Sequence, residues 1–498
     1  MKKYNKYTYI LLAALSLASC EKTVNVEPKN FIAPGAVTGN IDGLQNVLNS
    51  AYDRFQDFSW YGNGIILIGD ILADNAYTNP SIPAGGNRYI GQNQNVAGNA
   101  TTSNGYNYWS IAYTAINDIN LVLANIDNVQ ASDAVKAQVK GEAYGLRALA
   151  FFDLARAYSY EPTRIPTTGT GAGFNKGVVL RLKPTTDATS GGPQVRATVE
   201  ETYAQIESDF KQSINLLPAA TASKFRMNKS AAYALLGRTY LYWAKYANAV
   251  TQFDLALNSG SASLAPAGGY GTQFNRGLYT AATESFMEIA FNNTVEITGV
   301  VGSNSTVFSY TQPTGKQGGT TFGGQTLSDE LVALFEPTDD RKSLIFSYGA
   351  SSVANTPTSP MFNWSNKYNS GIGNNQYTDN VKVIRYADVL LMKAEALAEQ
   401  GQYAAAAALV VQLRTNRNAS VTGVPTDASI IPYILTERRR ELFFEGQRFF
   451  DLKRKGLDIT KPAKIAGGTV PYTDRRILNP IPAGEVNNVP GLPQNPGY

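Results

Sequence analysis

The segment KSAAYALLGRTYLYWAKYANAVTQFDLAL, residues 229–257, restricts the possible folds more than any other part of the sequence. Its apolar residues recur with the period of an α-helix. Gly237 and Ala249 are small, so two antiparallel helices built from this segment can approach each other closely. Tyr240 and Phe253 supply the volume that fills the space between such a pair and its neighbours. The segment therefore predicts a tightly packed helix pair with Gly237 at the contact.

The same segment has the residue spacing of a tetratricopeptide repeat. The matching positions are Leu236, Gly237, Tyr240, Ala249, Phe253 and Ala256. A weaker copy has Ala394, Leu397, Gly401 to Tyr403, Ala406 and Val410 in the same register, and residues 134–158 could form half of another pair. These matches predict a short helical repeat scaffold. The alternative is that the weaker copies are ordinary amphipathic helices.

Helical periodicity also recurs outside the repeats, whereas the segments between the helices are long and rich in Gly and Asn. The predicted helices span residues 41–55, 108–126, 134–158, 199–217, 229–257, 383–400, 403–417 and 430–455. The main irregular stretches are 78–105, 260–275 and 298–325. Loops of this length in a compact protein are usually functional. We expect a mainly α fold with long irregular loop insertions and few short strands.

The segment ERRRELFFEGQRFFDLKR, residues 437–454, combines many charges of both signs with four phenylalanines. Basic residues interleaved with aromatics can bind nucleic acid. Here the carboxylates nearly balance the guanidiniums, so the segment is better interpreted as a packed, ion-paired helix. The spacing predicts i,i+3 pairs, which are Glu437 with Arg440, Arg438 with Glu441 and Glu445 with Arg448. We expect no nucleic acid partner.

The amino terminus, MKKYNKYTYILLAALSLASC, has the order of features found in a secretory signal. Without Lys2, Lys3 and Lys6 the chain keeps 40 basic residues against 39 acidic ones, so net charge favours no polyanionic partner. The sequence LASC, which ends at Cys20, resembles a bacterial lipobox. Cys20 is the only cysteine, which fits lipid attachment better than a redox role. A plain signal peptide with a coincidental cysteine is the alternative.

The residue composition excludes several kinds of catalytic and metal-binding site. The sequence contains no histidine and no cysteine other than Cys20, which excludes histidine-dependent triads and histidine or thiolate metal sites. A carboxylate pair acting on a glycosidic bond remains possible, and the adjacent Asp339 and Asp340 are its candidates. The competing interpretation places both in a solvated turn. We expect no catalytic residue, metal or cofactor.

Two groups of residues are candidates for ligand binding. Asp70, Asp74 and Asn75 in GDILADN could offer a cluster of oxygen ligands, or could instead cap the local turn. Aromatic residues in polar segments could stack on a ligand, and exposed aromatics of this kind mark recognition sites. The predicted substrate-binding residues are Trp60, Tyr61, Asp74, Asn75, Tyr77, Trp364 and Tyr368. Trp109 and Trp243 lie in amphipathic helices and are expected in the core.

Several separated segments resemble the SusD/RagB family of outer-membrane nutrient-binding lipoproteins. The segments are IRYADVLLMKAEALAE (384–399), ERRRELFFEGQRFFDLKR, LNPIPAGEVNNVPGLPQNPGY (478–498), GDILADN, WSIAYTAINDINLVLANI (109–126) and GLRALAFFDLARAYS (145–159). The resemblance implies a SusD-like fold in which a helical repeat scaffold holds irregular ligand-facing segments. It also implies that the protein caps a SusC-like TonB-dependent outer-membrane transporter.

The resemblance and the residue patterns together predict the domain organisation. Residues 1–19 form a signal peptide, 20–40 a lipidated tether and 41–498 one SusD-like domain. Within that domain, residues 41–260 and 381–455 are the helical scaffold, 261–380 a loop-rich insertion and 456–498 a Pro- and Asn-rich tail.

The expected function is that of an outer-membrane, lipid-anchored receptor that faces the cell exterior. It would bind an oligosaccharide or polysaccharide nutrient and deliver it to the transporter. Three alternatives remain open, namely a receptor for peptide or another nutrient, a tetratricopeptide scaffold for envelope assembly, and a glycosidase.

Overall fold

The computed structural model describes residues 38–79, 81–82, 105–187, 189–220, 223–274, 281–291, 306–313, 321–349, 360–369, 379–465 and 468–498, and Cys20 lies outside them. The helices are α1 (Ile41–Phe55), α2 (Gly64–Leu72), α3 (Trp109–Asn125), α4 (Asp133–Tyr158), α5 (Val199–Leu216), α6 (Lys229–Tyr242), α7 (Tyr246–Leu257), α8 (Phe308–Thr311), α9 (Asp329–Val332), α10 (Tyr386–Ala398), α11 (Tyr403–Asn416), α12 (Ile430–Leu442), α13 (Arg448–Arg454) and α14 (Ala483–Asn488). Single 3₁₀ turns occupy Ile126–Asn128, Gly271–Gln273, Asp340–Leu344 and Arg475–Ile477, and a π-turn occupies Phe58–Gly62. None of the helices in these ranges is long and apolar enough to cross a membrane.

The strands are short and antiparallel. They are β1 (Ala76–Thr78), β2 (Ser285–Ile289), β3 (Gln325–Leu327), β4 (Ile345–Tyr348), β5 (Phe362–Ser365), β6 (Val381–Arg385), β7 (Ile459–Thr460) and β8 (Thr469–Val470). β1, β3, β5 and β4 form one sheet in that order, β2 pairs with β6, and β7 pairs with β8. The mainly α prediction with few short strands is confirmed.

Most predicted helices lie where the periodicity placed them, and two differences have clear causes. Val383 and Ile384 belong to β6, so helix α10 begins later than predicted, at Tyr386. Helix α2 was not predicted because its sequence GIILIGDIL has no polar face. All nine of its residues are buried, so the amphipathic period that reveals other helices is absent.

Antiparallel helix pairs stack into the expected repeat scaffold. α4 packs on α5, α6 on α7, and α10 on α11, with α5 against α6 and α7 against α10 linking the pairs. The repeat positions Ala394, Ala406 and Val410 are all fully buried. Gly237 lies at the α6–α7 contact, where an added Cβ would come within 2.5 Å of the Phe253 ring. The tetratricopeptide-like arrangement is therefore confirmed.

The charged segment after Ile430 forms two helices instead of the single helix that was predicted. α12 ends at Leu442, and α13 begins at Arg448. Between them Phe444 and Gly446 adopt left-handed conformations, with φ of 53° and 72°. An added Cβ at Gly446 would lie 2.4 Å from the Ile65 carbonyl oxygen, so this turn needs glycine both for its φ and for its contact with α2.

The ion pairs of this segment are real, but their partners are mostly remote in sequence. Only the predicted pair of Glu437 with Arg440 forms, at 2.8 Å. Glu441 is instead surrounded by three buried guanidiniums, which are those of Arg341 at 3.1 Å, Arg385 at 2.7 Å and Arg417 at 2.9 Å. Burial alone would raise the pKa of Glu441, but these arginines hold it well below its ordinary value.

Around Glu441 the buried charges balance. The carboxylates are Glu284, Asp339, Glu437, Glu441 and Glu445, and the cations are Arg341, Lys367, Arg385, Arg414 and Arg417. We name this set the Glu441 network. It joins α12 to α11, to β6, to the residue before β2 and to the turn after Asp339. Such a network tolerates burial because each charge meets an opposite charge with good hydrogen-bond geometry.

A second set of contacts joins the amino-terminal segment 70–75 to the carboxy-terminal segment 439–448. The Arg448 guanidinium donates two hydrogen bonds to the Asp74 carboxylate, at 2.7 and 2.8 Å. Arg439 Nε donates to Asn75 Oδ1 at 2.7 Å. Asp70 accepts from Asn75 Nδ2 at 2.5 Å and from the Phe444 N–H at 3.1 Å. We call these contacts the polar latch. Arg448 therefore pairs with Asp74, whereas the sequence predicted a pair with Glu445.

The α6–α7 contact yields a stability prediction. Gly237→Leu forces a side chain into the space held by Phe253, so it should lower the free energy of unfolding by about 1–3 kcal/mol through overpacking. Ala247→Leu on the exposed side of α7 is the matched control and should change stability little. Thermal and urea unfolding measure both, and equal stability of the two variants would contradict the packing described.

The polar latch yields a pH prediction. Burial raises the pKa of Asp70 from 3.8 to about 7, although hydrogen bonds from Asn75 and Phe444 oppose the shift. Protonated Asp70 therefore stabilises the folded state. Its contribution to the free energy of unfolding is complete below about pH 4 and is lost as the pH rises through 7. Asp70→Asn cannot titrate. Between about pH 5 and pH 7.5 the unmodified protein should lose about 2 kcal/mol more stability than the variant.

Urea unfolding at about pH 5 and about pH 7.5 measures the free energy of unfolding of the unmodified protein and of the Asp70→Asn variant. Burial also lowers the pKa of Lys461 to about 7, which acts in the opposite sense at higher pH. Because Lys461 is present in both proteins, its contribution cancels in the difference between them. Parallel stability profiles for the two proteins would show that Asp70 does not titrate in this range.

Candidate functional site

The aromatic residues predicted to contact ligand near the amino terminus are buried. Trp60 has no exposed surface, stacks on Phe55 at a centroid distance of 4.0 Å and donates from Nε1 to Asp153 at 2.9 Å. Tyr61 and Tyr77 are each only 3% exposed. The expectation that these rings lie exposed in loops is wrong, because the π-turn and strand β1 place them against the core.

The predicted aromatic residues of the later segment are buried as well. Trp364 lies in β5, and its Nε1 donates to the Tyr348 carbonyl on β4 at 3.1 Å. Tyr368 follows the strand and also has no exposed surface. Trp364→Ala is therefore expected to destabilise the fold, whereas the exposure inferred from the sequence implied little effect. Trp109 and Trp243 are buried, as predicted.

The predicted polar residues are engaged inside the protein. Asp74 and Asn75 belong to the polar latch, where they bind the distant Arg448 and Arg439, a role that neither the oxygen-ligand nor the turn-capping interpretation predicted. Asp339 is buried, caps the following turn and pairs with Arg341 at 2.7 Å. Over the described ranges, no group of three or more Asp, Glu, Cys or His side chains is placed to hold a metal ion.

An open cleft lies along one side of α1, and we call it the α1 cleft. Asn49, Tyr52, Asp53 and Gln56 recur at i, i+3, i+4 and i+7, so they form one stripe beside the stripe that buries Leu44, Leu48, Ala51 and Phe55. The cleft has two adjoining hollows of about 340 and 270 Å³ that share Asp53 and Gln56.

The opposite walls of the α1 cleft come from distant parts of the chain. The larger hollow is completed by Ser223, Phe225, Arg226, Ile289 and Ala290. The smaller one is completed by Arg54, Asp57, Phe58, Ile111 and Phe291. Gln56 Nε2 donates to the Ala290 carbonyl at 2.6 Å, which fixes the end of α1 against the end of β2. The cleft thus depends on the packing of α1, α3, β2 and the segment before α6.

Hydrogen bonds hold the polar groups of the larger hollow in place. Arg226 donates from Nε to Glu142 at 2.7 Å and from NH1 to Asn49 at 2.8 Å, and it lies over the Tyr52 ring at 4.5 Å. Tyr52 Oη donates to Glu142 at 2.8 Å. Burial and the Glu142 carboxylate raise the pKa of Tyr52 well above its ordinary value, so the phenol keeps its proton.

The arrangement suits a ligand rich in hydroxyl groups. Asp53 is exposed and offers carboxylate oxygens, Gln56 keeps its Oε1 as an acceptor, and Phe58 and Phe225 are half-buried rings. Carboxylates and amides exchange hydrogen bonds with hydroxyls, and rings accept apolar C–H faces. Asp53 and Asp57 line the cleft with Arg54 and Arg226, so the walls carry no excess of positive charge for a polyanion.

The sequence of α1 carries a signal for this cleft that lies outside the aromatic loop segments. Helix α1 shows a polar and aromatic stripe directly beside its apolar stripe, and the polar side of a surface helix is the side that can line a cleft. The partners of that stripe could not be found in the same way. Phe225 and Arg226 lie far along the chain, and no local period links them to Tyr52.

Comparisons with known proteins agree with this fold. Residues 44–241 match the SusD-like family described as starch-binding associating with outer membrane, and residues 345–498 match the family described as the SusD family. A SusD-like protein of Formosa agariphila is 25% identical in an alignment that covers all of both chains. A second SusD-like protein of that organism is also 25% identical over the full length of both.

Solved structures show the same architecture. A SusD superfamily protein from Bacteroides thetaiotaomicron superposes with a TM-score of 0.79 at 26% identity, covering 92% of this chain and 100% of the other. A protein from Bacteroides vulgatus described as sugar binding gives a TM-score of 0.77 at 25% identity, covering 92% and 99%. The matched segments at both ends, the full-length relatives and the shared architecture lead to one conclusion: the chain belongs to the SusD/RagB family.

Proposed function

We propose that the protein binds a neutral oligosaccharide or polysaccharide in the α1 cleft. The observation that carries this proposal is the stripe of Asn49, Tyr52, Asp53 and Gln56, which faces Phe225 across an open cleft. Sugar rings present both hydroxyls and C–H faces, and this stripe offers a complement to each. The description of the matched family as starch-binding supports the ligand class.

The charges of the cleft favour a neutral glycan over an anionic one. Arg226 is already paired with the buried Glu142, and Asp53 and Asp57 add two carboxylates to the walls. A sulfated or carboxylated chain would meet these carboxylates, and the cations of the cleft are already paired, Arg54 with Asp118 at 3.7 Å and Arg226 with Glu142. Hydroxyl groups can instead accept from the remaining N–H groups of Arg226 and donate to Asp53.

Isothermal titration against soluble starch, laminarin and a peptide mixture tests the ligand class. We expect binding to a polysaccharide, and Asp53→Ala should weaken it about fivefold, because one hydrogen bond contributes about 1 kcal/mol. Asn46→Ala is the matched control, since Asn46 is exposed on α1 but does not line the cleft. Both substitutions lie on exposed positions and should leave the melting temperature unchanged.

Each alternative function predicts a different outcome of this titration. Binding to peptides without any polysaccharide would identify a peptide receptor. Binding to neither, with capture of a partner protein, would identify an assembly scaffold. Reducing ends that accumulate from a bound polysaccharide would identify a glycosidase, although Asp339 is buried and held by Arg341. If the Asp53→Ala and Asn46→Ala variants bind the polysaccharide with equal affinity, the ligand does not bind in the α1 cleft.

We also propose that Cys20 is acylated, that the lipid anchors the protein at the outer face of the outer membrane, and that the glycan passes to a SusC-like TonB-dependent transporter. The association with the outer membrane given for the matched family supports this location. Multiple acyl chains are needed for stable anchoring, because one chain binds a membrane only marginally.

Membrane fractionation tests the anchor. The unmodified protein should sediment with outer membranes, carry acyl groups on Cys20 by mass spectrometry and co-purify with the transporter from detergent extracts. Cys20→Ala should release the protein into the soluble fraction or retain its signal peptide. A mature chain that begins elsewhere and lacks acyl groups would refute the proposed anchor.

A further inference from the structure

A third hollow adjoins the α1 cleft on the far side of Arg226. Its volume is about 350 Å³, and it lies between the first half of α4, the end of α5 and the segment before α6. Leu217, Pro218, Ala220 and Met227 give it a largely apolar lining, so we call it the Leu217 pocket. Ser223 and Arg226 line both the Leu217 pocket and the larger hollow of the α1 cleft.

The wall between the two hollows is held firmly. Glu142 is only 3% exposed and accepts hydrogen bonds from three donors, which are Tyr52 Oη at 2.8 Å, Arg226 Nε at 2.7 Å and Gln138 Nε2 at 2.6 Å. These bonds hold the Arg226 guanidinium in one position in the wall between the two hollows. Its NH2 group makes no hydrogen bond within the described part of the chain, so it can donate to a ligand that crosses the wall.

We infer that the Leu217 pocket is a second subsite for the same glycan, so the protein recognises an extended chain segment and not a single sugar unit. This inference rests on the proposed function of the α1 cleft. One unit lies in the cleft against Tyr52 and Asp53, the linkage crosses beside Arg226, and a following unit enters the Leu217 pocket.

The chemistry of the Leu217 pocket fits the apolar face of a sugar ring. Pro218 and Ala220 are exposed and can contact ring C–H groups, which removes apolar surface from water, whereas Leu217 and Met227 line the pocket from buried positions. At the rim, Gln138 keeps its Oε1 as an acceptor and Ser223 keeps its hydroxyl proton as a donor. A ligand confined to the α1 cleft could reach Ser223 but none of the other contacts, so affinity should rise with chain length until both hollows are filled.

Linear maltooligosaccharides and laminarioligosaccharides of increasing length are the probes. Ala220→Trp fills the pocket from an exposed position, and Ala219→Trp adds the same side chain at the exposed neighbour that does not line it. For the unmodified protein, titration should give at least about tenfold tighter binding of a hexasaccharide than of a disaccharide. Ala220→Trp should lose that gain without weakening disaccharide binding, and Ala219→Trp should keep it.

The outcomes separate this inference from the proposed function. If the unmodified protein binds all lengths equally, or if Ala220→Trp binds the hexasaccharide as tightly as Ala219→Trp does, the second subsite is refuted while glycan binding stands. If it binds no oligosaccharide and no polysaccharide, both ideas fail. Melting temperatures of the two tryptophan variants should match that of the unmodified protein, which assigns any change in affinity to the pocket.

Discussion

The contact between Glu441 and its three arginines is the interaction on which the rest of the structure depends. Removing four charges from water costs several kcal/mol per ion, and only mutual attraction with good geometry offsets that cost. The arginines come from β6, from the residue after α11 and from the turn after Asp339, so the carboxylate is satisfied only when all three elements are in place. The Glu441 network therefore specifies one arrangement of the scaffold, because any other packing of these elements would leave a buried charge unpaired.

The architecture was accessible from the sequence where the signal was local. Helical period and small residues place Gly237 at the contact between α6 and α7 without any knowledge of distant segments, and the structure shows it there, although the ring against it is Phe253, which the sequence assigned to the space between helix pairs. The alternating charges of residues 437–454 likewise indicated ion pairing. The partners in these ion pairs could not be predicted, because the guanidiniums that contact a carboxylate on α12 come from distant parts of the chain. Arg448 meets Asp74 across almost the whole chain.

The candidate site was harder to predict for a related reason. Polar neighbours in the sequence suggested that Trp60 and Trp364 are exposed, but burial depends on what packs above a residue in space. Trp60 is covered by Phe55 and Tyr108, and Trp364 lies in a sheet of short strands. Helix α1 illustrates the converse. One of its faces lies in the core and the adjacent face lines the cleft, so the geometry of the cleft is set by the same residues that anchor the helix.

The polar latch also constrains how this chain reaches its fold. Its two halves are separated by 374 positions between Asp74 and Arg448, so contacts between them close one of the longest loops the chain can form. The entropy of loop closure must be lost before such contacts stabilise anything, and folding slows as the average contact becomes less local. Until the last segment has folded, the Asp74 carboxylate and Asn75 Oδ1 lack their arginine partners. The segment around Asp74 consequently reaches its final set of contacts only after the carboxy-terminal helices have folded against it.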